Sequence, residues 1–469
     1  MYRSSLLSLG LAVFFLPSFI HAQQQQPDYQ QILDRLARIE QENRNLAEEV
    51  RALRQELAAS RTIAPSPPAA PAISASTAAA PTPPPPTLEE RVDVNQQRIS
   101  EQAQTKVEAA QKLPITLTGM VLFNAFLNGS ANGGMEYPLF AAQGENSSAG
   151  GATFSQSILG AKFQGPQVLG GAQLNASIYF DVFGGSTNGP LDHLVRLRTA
   201  TVELDWKNTT ILAGQDKPII SPREPTSLAQ VAVSPLTGAG NLWLWAPQFR
   251  VEQRFALGQK AGLTAQLGVY ETSEPSYAAR GGDSDGYASS SSPRPALEGR
   301  FEFWRKFGEG SRIEIAPGFH ESTTHAGGFS IPSHLATVDW LIQPVSKLQL
   351  TGMFFSGENA AGVGGLQQGF TIINDLRAIS IGANGGWTQL AWLATKRLTF
   401  NLFAGQENDR QADLLSGDIH SNLMYGSNAI YRLGSNVLLG AEISQVRTNY
   451  FLLPSRLNNH YDLSLGYQF

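Results

Sequence analysis

The last ten residues constrain the fold more than any other stretch. Tyr461, Leu463, Leu465, Tyr467 and Phe469 share one parity, and His460, Asp462, Ser464, Gly466 and Gln468 share the other. Alternation with a period of two belongs to a strand whose faces meet two different solvents. On the apolar face, aromatics stand near both ends and aliphatics between them. That is the pattern of a strand facing lipid, with an interfacial girdle above and below. A soluble sandwich can end on a similar strand, so the rest of the chain has to decide.

From Leu113 onward the same character recurs. Strand-like segments are read at 115–127, 153–163, 172–183, 195–206, 209–215, 248–256, 262–271, 297–306, 312–320, 335–342, 348–356, 387–393, 398–406, 422–431, 437–446 and 461–469, sixteen in all. Joins after the even segments are brief, such as Lys207-Asn208. Joins after odd segments include long ones, at 128–152, 216–247, 272–296 and 357–386. This alternation puts every short turn at one end of a sheet and every long loop at the other, as in outer-membrane barrels. In 297–306, Leu297, Gly299, Phe301 and Phe303 alternate with Glu298, Arg300, Glu302 and Trp304. In 248–256, Phe249, Val251 and Phe255 alternate with Arg250, Glu252 and Arg254, with Gln253 out of step. Three charges on one strand face are costly in a packed core and tolerable beside water. In 195–206, Arg196 and Arg198 share parity with Ala200, Val202 and Leu204. A β-bulge reconciles this, or the arginines lie above the lipid band.

The N-terminal part is built otherwise. Residues 1–22 read as a signal peptide: Arg3, an apolar run from Leu6 to Ile20, and a cleavage site at Phe19-Ile20-His21-Ala22. Residues 23–60 read as a coiled coil. Tyr29, Leu36, Asn43, Val50 and Leu57 fall at a, and Ile32, Ile39, Leu46 and Leu53 at d. Arg35 can reach Glu40, Glu49 can reach Arg54, and a buried Asn43 would fix register. An amphipathic helix lying on its own barrel is the alternative. Residues 61–87 form a Pro/Ala-rich linker, and 88–112 a weakly specified helical connector.

The chain has no Cys, so neither a lipid-anchored nor a disulfide-stapled form is expected. After the signal, no run approaches the roughly 18–20 apolar residues of a spanning helix, so strands would have to carry any membrane role. A formal net charge of −5 argues against nucleic acid as the partner.

In hydrocarbon, every backbone polar group needs a partner, so strands can span only as a closed barrel. The expected fold is therefore an all-β transmembrane protein: a 16-stranded antiparallel up-and-down outer-membrane β-barrel behind an N-terminal coiled coil. Sixteen strands leave an aqueous lumen. The closing strand, ending on Phe469, resembles the barrel-assembly signal of outer-membrane proteins. In layout, 29–469 resembles the trimeric porins of Gram-negative bacteria, in particular the dicarboxylate-channel (DcaP-like) porins, which resemble the phosphate-selective porins and place a coiled coil before the barrel.

That resemblance implies a passive channel for small hydrophilic solutes in the cell outer membrane. It also implies a homotrimer, with the coiled coil in the periplasm reaching the cell wall. Lipid, lipopolysaccharide and the barrel-assembly machinery are the expected partners. No cofactor, metal or catalytic residue is expected, and the chain is not read as an enzyme.

The candidate constriction is the third long loop, 217–247, rich in proline and apolar residues that have no reason to stand in water. A subunit-contact or lipopolysaccharide-facing loop is the alternative. Candidate pore-lining residues are Arg196, Arg198, Lys217, Arg223, Glu224, Arg250, Glu252, Arg254, Glu298, Arg300 and Glu302. The basic excess near this loop suggests mild anion preference, although the barrel portion carries 23 Lys/Arg against 27 Asp/Glu and so opposes a strong filter. Asp409, Asp413 and Asp418 share one outer loop without the spacing of a Ca²⁺ site. A barrel lipase or protease is the rival class, with His320, His325 and His420 as its candidate bases. A tether between outer membrane and cell wall is a third reading.

Overall fold

The computed structural model describes residues 114–144, 147–184, 193–271, 295–326, 329–373 and 377–469. The signal peptide, the coiled coil with Asn43, the linker and the connector lie outside the described residues.

The described strands are β1 (Ile115–Asn128), β2 (Ala149–Thr153), β3 (Ile158–Val168), β4 (Ala172–Asp181), β5 (Arg196–Asp205), β6 (Thr209–Asp216), β7 (Ala246–Ala256), β8 (Ala261–Tyr270), β9 (Ala296–Gly308), β10 (Ser311–Ala326), β11 (Phe329–Val345), β12 (Leu348–Glu358), β13 (Phe370–Ile373), β14 (Arg377–Ser380), β15 (Gly382–Trp392), β16 (Leu398–Asp409), β17 (Ile419–Leu433), β18 (Val437–Tyr450) and β19 (Arg456–Gln468). β13 and β14 form a hairpin of their own within the loop between β12 and β15. The other seventeen make one antiparallel sheet, and β2 and β3 are consecutive pieces of one stave, pairing with the outer and inner halves of β1. That leaves sixteen staves.

The sheet closes on itself. β19 pairs with β1 from Met120↔Gln468 to Asn128↔His460. Phe469 extends the seam: its N–H donates to Gly119 O at 3.1 Å, and the Gly119 N–H donates back at 3.0 Å. Closure removes the unpaired edge that hydrocarbon would not tolerate. All sixteen expected segments appear. Residues 321–326 and 329–334, read as loop, are instead strand: β10 and β11 stay paired up to Ala326↔Phe329.

The burial pattern is the inverse of a soluble sandwich. On β19, Leu463 is 65% exposed and Tyr467 53%, while Asp462 and Ser464 are 5% and 6% exposed. Phe249, Leu267, Phe301, Phe354, Leu402 and Ile443 continue the exposed apolar face around the wall. An outer surface of this kind is stable against lipid rather than water. The two arginines of β5 are reconciled by a bulge: the β4–β5 register shifts between Tyr179 and Phe180, pairing Phe180 with Leu197 but Tyr179 with Thr199. The extra residue, Arg198, then points inward with Arg196 while Val202 faces out.

The apolar core lies inside the barrel. Loop residues Ala131, Tyr137, Ile220, Leu236, Leu242 and Val363 pack against wall residues Met353, Phe355, Trp387, Phe403 and Met424. Residues 131–141, 220–244 and 360–363 supply the loop side of this core. Part of the lumen is thus filled by the chain's own outer loops.

Candidate functional site

Each inward polar side chain of the wall carries a desolvation cost, and the 217–245 loop offsets it for a set of them spread around the barrel. Leaving β6, the loop first meets β9, where the Ile219 N–H donates to Glu298 at 2.7 Å. Ser221 then bonds Met353 of β12, and the Thr226 N–H donates to Gln389 of β15 at 2.6 Å. Asn428 of β17 donates to Thr226 O, and Ser227 donates to Glu442 of β18 at 2.5 Å. Asn124 of β1 donates to Leu228 O, and Gln156, between β2 and β3, accepts both the Val231 and Ala232 N–H groups. The circuit ends at β5, where Arg196 and Arg198 donate to the carbonyls of Ala232 and Val231 at 2.6 and 2.9 Å. The loop therefore runs as a collar around the inner wall, satisfying its own backbone and the wall's polar groups together.

A second pass, 234–245, returns across the lumen. Gly240, at φ +94°, lies against Gly386 so closely that a Cβ would run into that residue's carbonyl. Asn422 donates to Gly238 O and to Leu139 O, joining this pass to the 129–148 loop. Tyr137 of the latter is fully buried. Desolvation, and then the charge of Glu442, push its phenol well above the usual range, so it stays a donor.

The charged groups fall into three tiers. In the middle, Arg223 of the loop meets three staves at once: Asp339 of β11 at 2.8 Å, Glu314 of β10 at 2.7 Å and Glu302 of β9 at 3.2 Å. Arg300 grips Asp339 through two bonds of 2.7 and 2.9 Å and Glu302 at 2.6 Å. Below the collar, Arg250 pairs with Asp216 at 3.0 Å, and Arg254 with Asp205 at 2.8 Å and Glu252 at 3.0 Å. Glu203, Arg250, Glu252 and Arg254 line a polar recess of about 200 Å³ there. On the outer side, Arg196 and Arg198 share the single carboxylate of Asp181, at 2.7 and 3.0 Å. Both guanidiniums lie over the Trp245 ring, at 5.0 and 4.4 Å. Lys217 is paired with Glu224 inside the loop.

All eleven sequence candidates face the interior, and the structure gives each a partner. Their partners were missed. Asp339, Glu314, Asp181, Gln156 and Glu442 carry no motif; the available signal was a lone polar group at the inward parity of an apolar strand, as in Thr337-Val338-Asp339-Trp340. Asp409 closes β16 rather than standing in the outer loop with Asp413 and Asp418, and the groups are engaged separately, Asp409 by Gln368 and Asp413 by Arg410. A concavity of about 720 Å³ opens between Trp392, Phe400, Leu402, Ile443 and Leu463 on the lipid-facing side.

No protein-family model matches the sequence, and none of the curated proteins matches it. Solved structures do. The outer membrane channel DcaP of Acinetobacter baumannii aligns at TM-score 0.60 and 16% identity, covering 76% of this chain and 97% of that one. The fold is that of an outer-membrane porin. The anion-selective porin from Comamonas acidovorans shares it at TM-score 0.51 and 13% identity, over 76% of this chain and 99% of that one. At such identities the likeness resides in the porin barrel itself rather than in any shared site residue.

Proposed function

We propose that this chain is a porin of the Gram-negative outer membrane, passing small hydrophilic solutes by passive diffusion. The observation that carries the proposal is the collar: a closed sixteen-stave wall narrowed from within by one loop anchored around its circumference. Solutes pass beside the paired charges of Arg223, Arg300, Glu302, Arg250, Glu252 and Arg254, which present alternating sign at close range.

Anion preference is mild and comes from the outer tier. With Arg312 on Glu314 at 3.4 Å, the middle tier sets three guanidiniums against Asp339, Glu314 and Glu302 and gives no sign bias. Below the collar, Arg250 and Arg254 against Asp216, Asp205 and Glu252 lean negative and keep the preference mild. Arg196 and Arg198 share one carboxylate and leave one positive charge over. The name of the Comamonas porin is in keeping with this reading. The heptads of 23–60 support self-association through a periplasmic coiled coil, and the porin-like layout supports three copies. Planar-bilayer conductance of the refolded protein tests the whole: discrete ohmic steps, grouped in threes, are expected. In a salt gradient the reversal potential should take the anion sign and lose it in Arg196→Ala/Arg198→Ala. Absence of steps would sink the channel reading, and a cation-signed potential the selectivity reading.

A further inference from the structure

His320 of β10 points into the barrel, nearly fully buried, with a different partner on each ring nitrogen. Nδ1 lies 2.9 Å from Glu298 Oε1 on β9, and Nε2 lies 2.9 Å from the hydroxyl of Ser322, two residues along the same strand face. The Glu298 carboxylate accepts and does not donate. Facing it, Nδ1 is the donor, and in a neutral imidazole Nε2 then turns its lone pair to the Ser322 hydroxyl. Glu298 is itself pinned, because its second oxygen accepts the Ile219 N–H at 2.7 Å.

Beside them, the Tyr270 ring stands edge-on to His320, centroids 6.2 Å apart. It reaches across Ala296, its partner on β9, which has no bulk to stop it. The Tyr270 hydroxyl is buried and has no hydrogen-bond partner among the described residues. Other imidazoles are wired differently: His460 meets Asn128, His420 a backbone carbonyl and Gln411, and His334 an exposed Glu321.

We propose that Ser322, His320 and Glu298 form a nucleophilic relay that hydrolyses small carboxylic esters on the outer side of the collar, an activity separate from conduction. Ser322 Oγ attacks the ester carbonyl carbon while its proton passes to His320 Nε2, and the carbonyl π pair moves onto oxygen. Collapse expels the alkoxide, which takes that proton and leaves as the alcohol. Water then attacks the acyl-serine, giving its proton to His320; the serine oxygen leaves, recovers the proton, and the carboxylic acid is released. Ester and water become acid and alcohol, with no redox partner needed. Glu298 is the positioning residue, and the free Tyr270 hydroxyl is the donor for the oxyanion.

Refolded full-length protein tests this with p-nitrophenyl acetate and a fluorophosphonate probe. Mass spectrometry should find the phosphonyl group on Ser322, and Ser322→Ala should lower hydrolysis by on the order of 100-fold or more while leaving the conductance steps intact. Glu298→Gln should move the pH profile of hydrolysis, which a loss of packing alone would not do. If Ser322→Ala misfolds, Ser322→Cys provides the second route, since its alkylation by iodoacetamide should slow when His320→Ala is added. An unlabelled Ser322, hydrolysis equal in wild type and Ser322→Ala, or alkylation indifferent to His320 would each overturn the relay. Conductance measured on the same sample keeps the channel reading separately decidable.

Discussion

At the scale of single residues, Arg223 holds the most. One guanidinium satisfies carboxylates from β9, β10 and β11 and fixes the middle of the collar to the wall. Removing one partner of a buried ion pair costs more than the pair ever contributes, because the remaining charges stay in a poorly solvated place; the typical figure is about 3–5 kcal/mol. Arg223→Ala should therefore detach the collar locally. The expected result is a larger and noisier single-channel step and faster proteolysis within 217–245, with the barrel still resistant to SDS at room temperature. An unchanged step would mean the collar is held elsewhere. Gly240→Val tests the second pass independently: with no room beside Gly386 and a positive φ, it should loosen the 234–245 pass, read in the same two measurements.

At the scale of elements, the seam between β1 and β19 is the critical one. Phe469 closes two hydrogen bonds with Gly119, and a Cβ on Gly119 would stand 2.9 Å from the Phe469 ring. Deleting Phe469, or making Gly119→Val, should lower the yield of heat-modifiable barrel on unboiled gels. Normal yield of both would count against the seam as an assembly determinant. The bulge at Arg198 shows how a strand that breaks its own alternation still serves the barrel. The extra residue changes which side chains point inward and places two arginines above one aspartate.

At the scale of the molecule, the lumen has two kinds of filling. The loops bring apolar residues onto β12, β15, β16 and β17, where Phe355, Trp387 and Phe403 would otherwise face water. Polar and charged groups remain on the inner faces of β5, β7 and β9, and solutes are expected to travel beside them. Because the described barrel closes on its own strands, a chain lacking 23–112 should conduct with the same single-pore step while losing the grouping of steps in threes. Loss of conduction on that deletion would favour the tether reading instead.

Much of this was legible in the sequence. Period-two alternation, short and long joins in turn, and the aromatic ends of 460–469 were enough for a sixteen-stranded lipid-facing barrel, because faces, turns and girdles are local properties. The inward direction of Arg250, Glu252, Arg254, Glu298, Arg300 and Glu302 followed from parity alone. What Arg223 touches did not. It meets β9, β10 and β11 only after the sheet has curved and the loop has folded back into the lumen, and no spacing along the chain encodes that meeting. The same holds for Ser322, His320 and Glu298: the first two sit two residues apart in plain view, but their carboxylate arrives from a neighbouring strand whose register is set by pairing. Along regular strands, sequence determined which way each side chain points; the bulge at Arg198 and the closure of the barrel decided the rest.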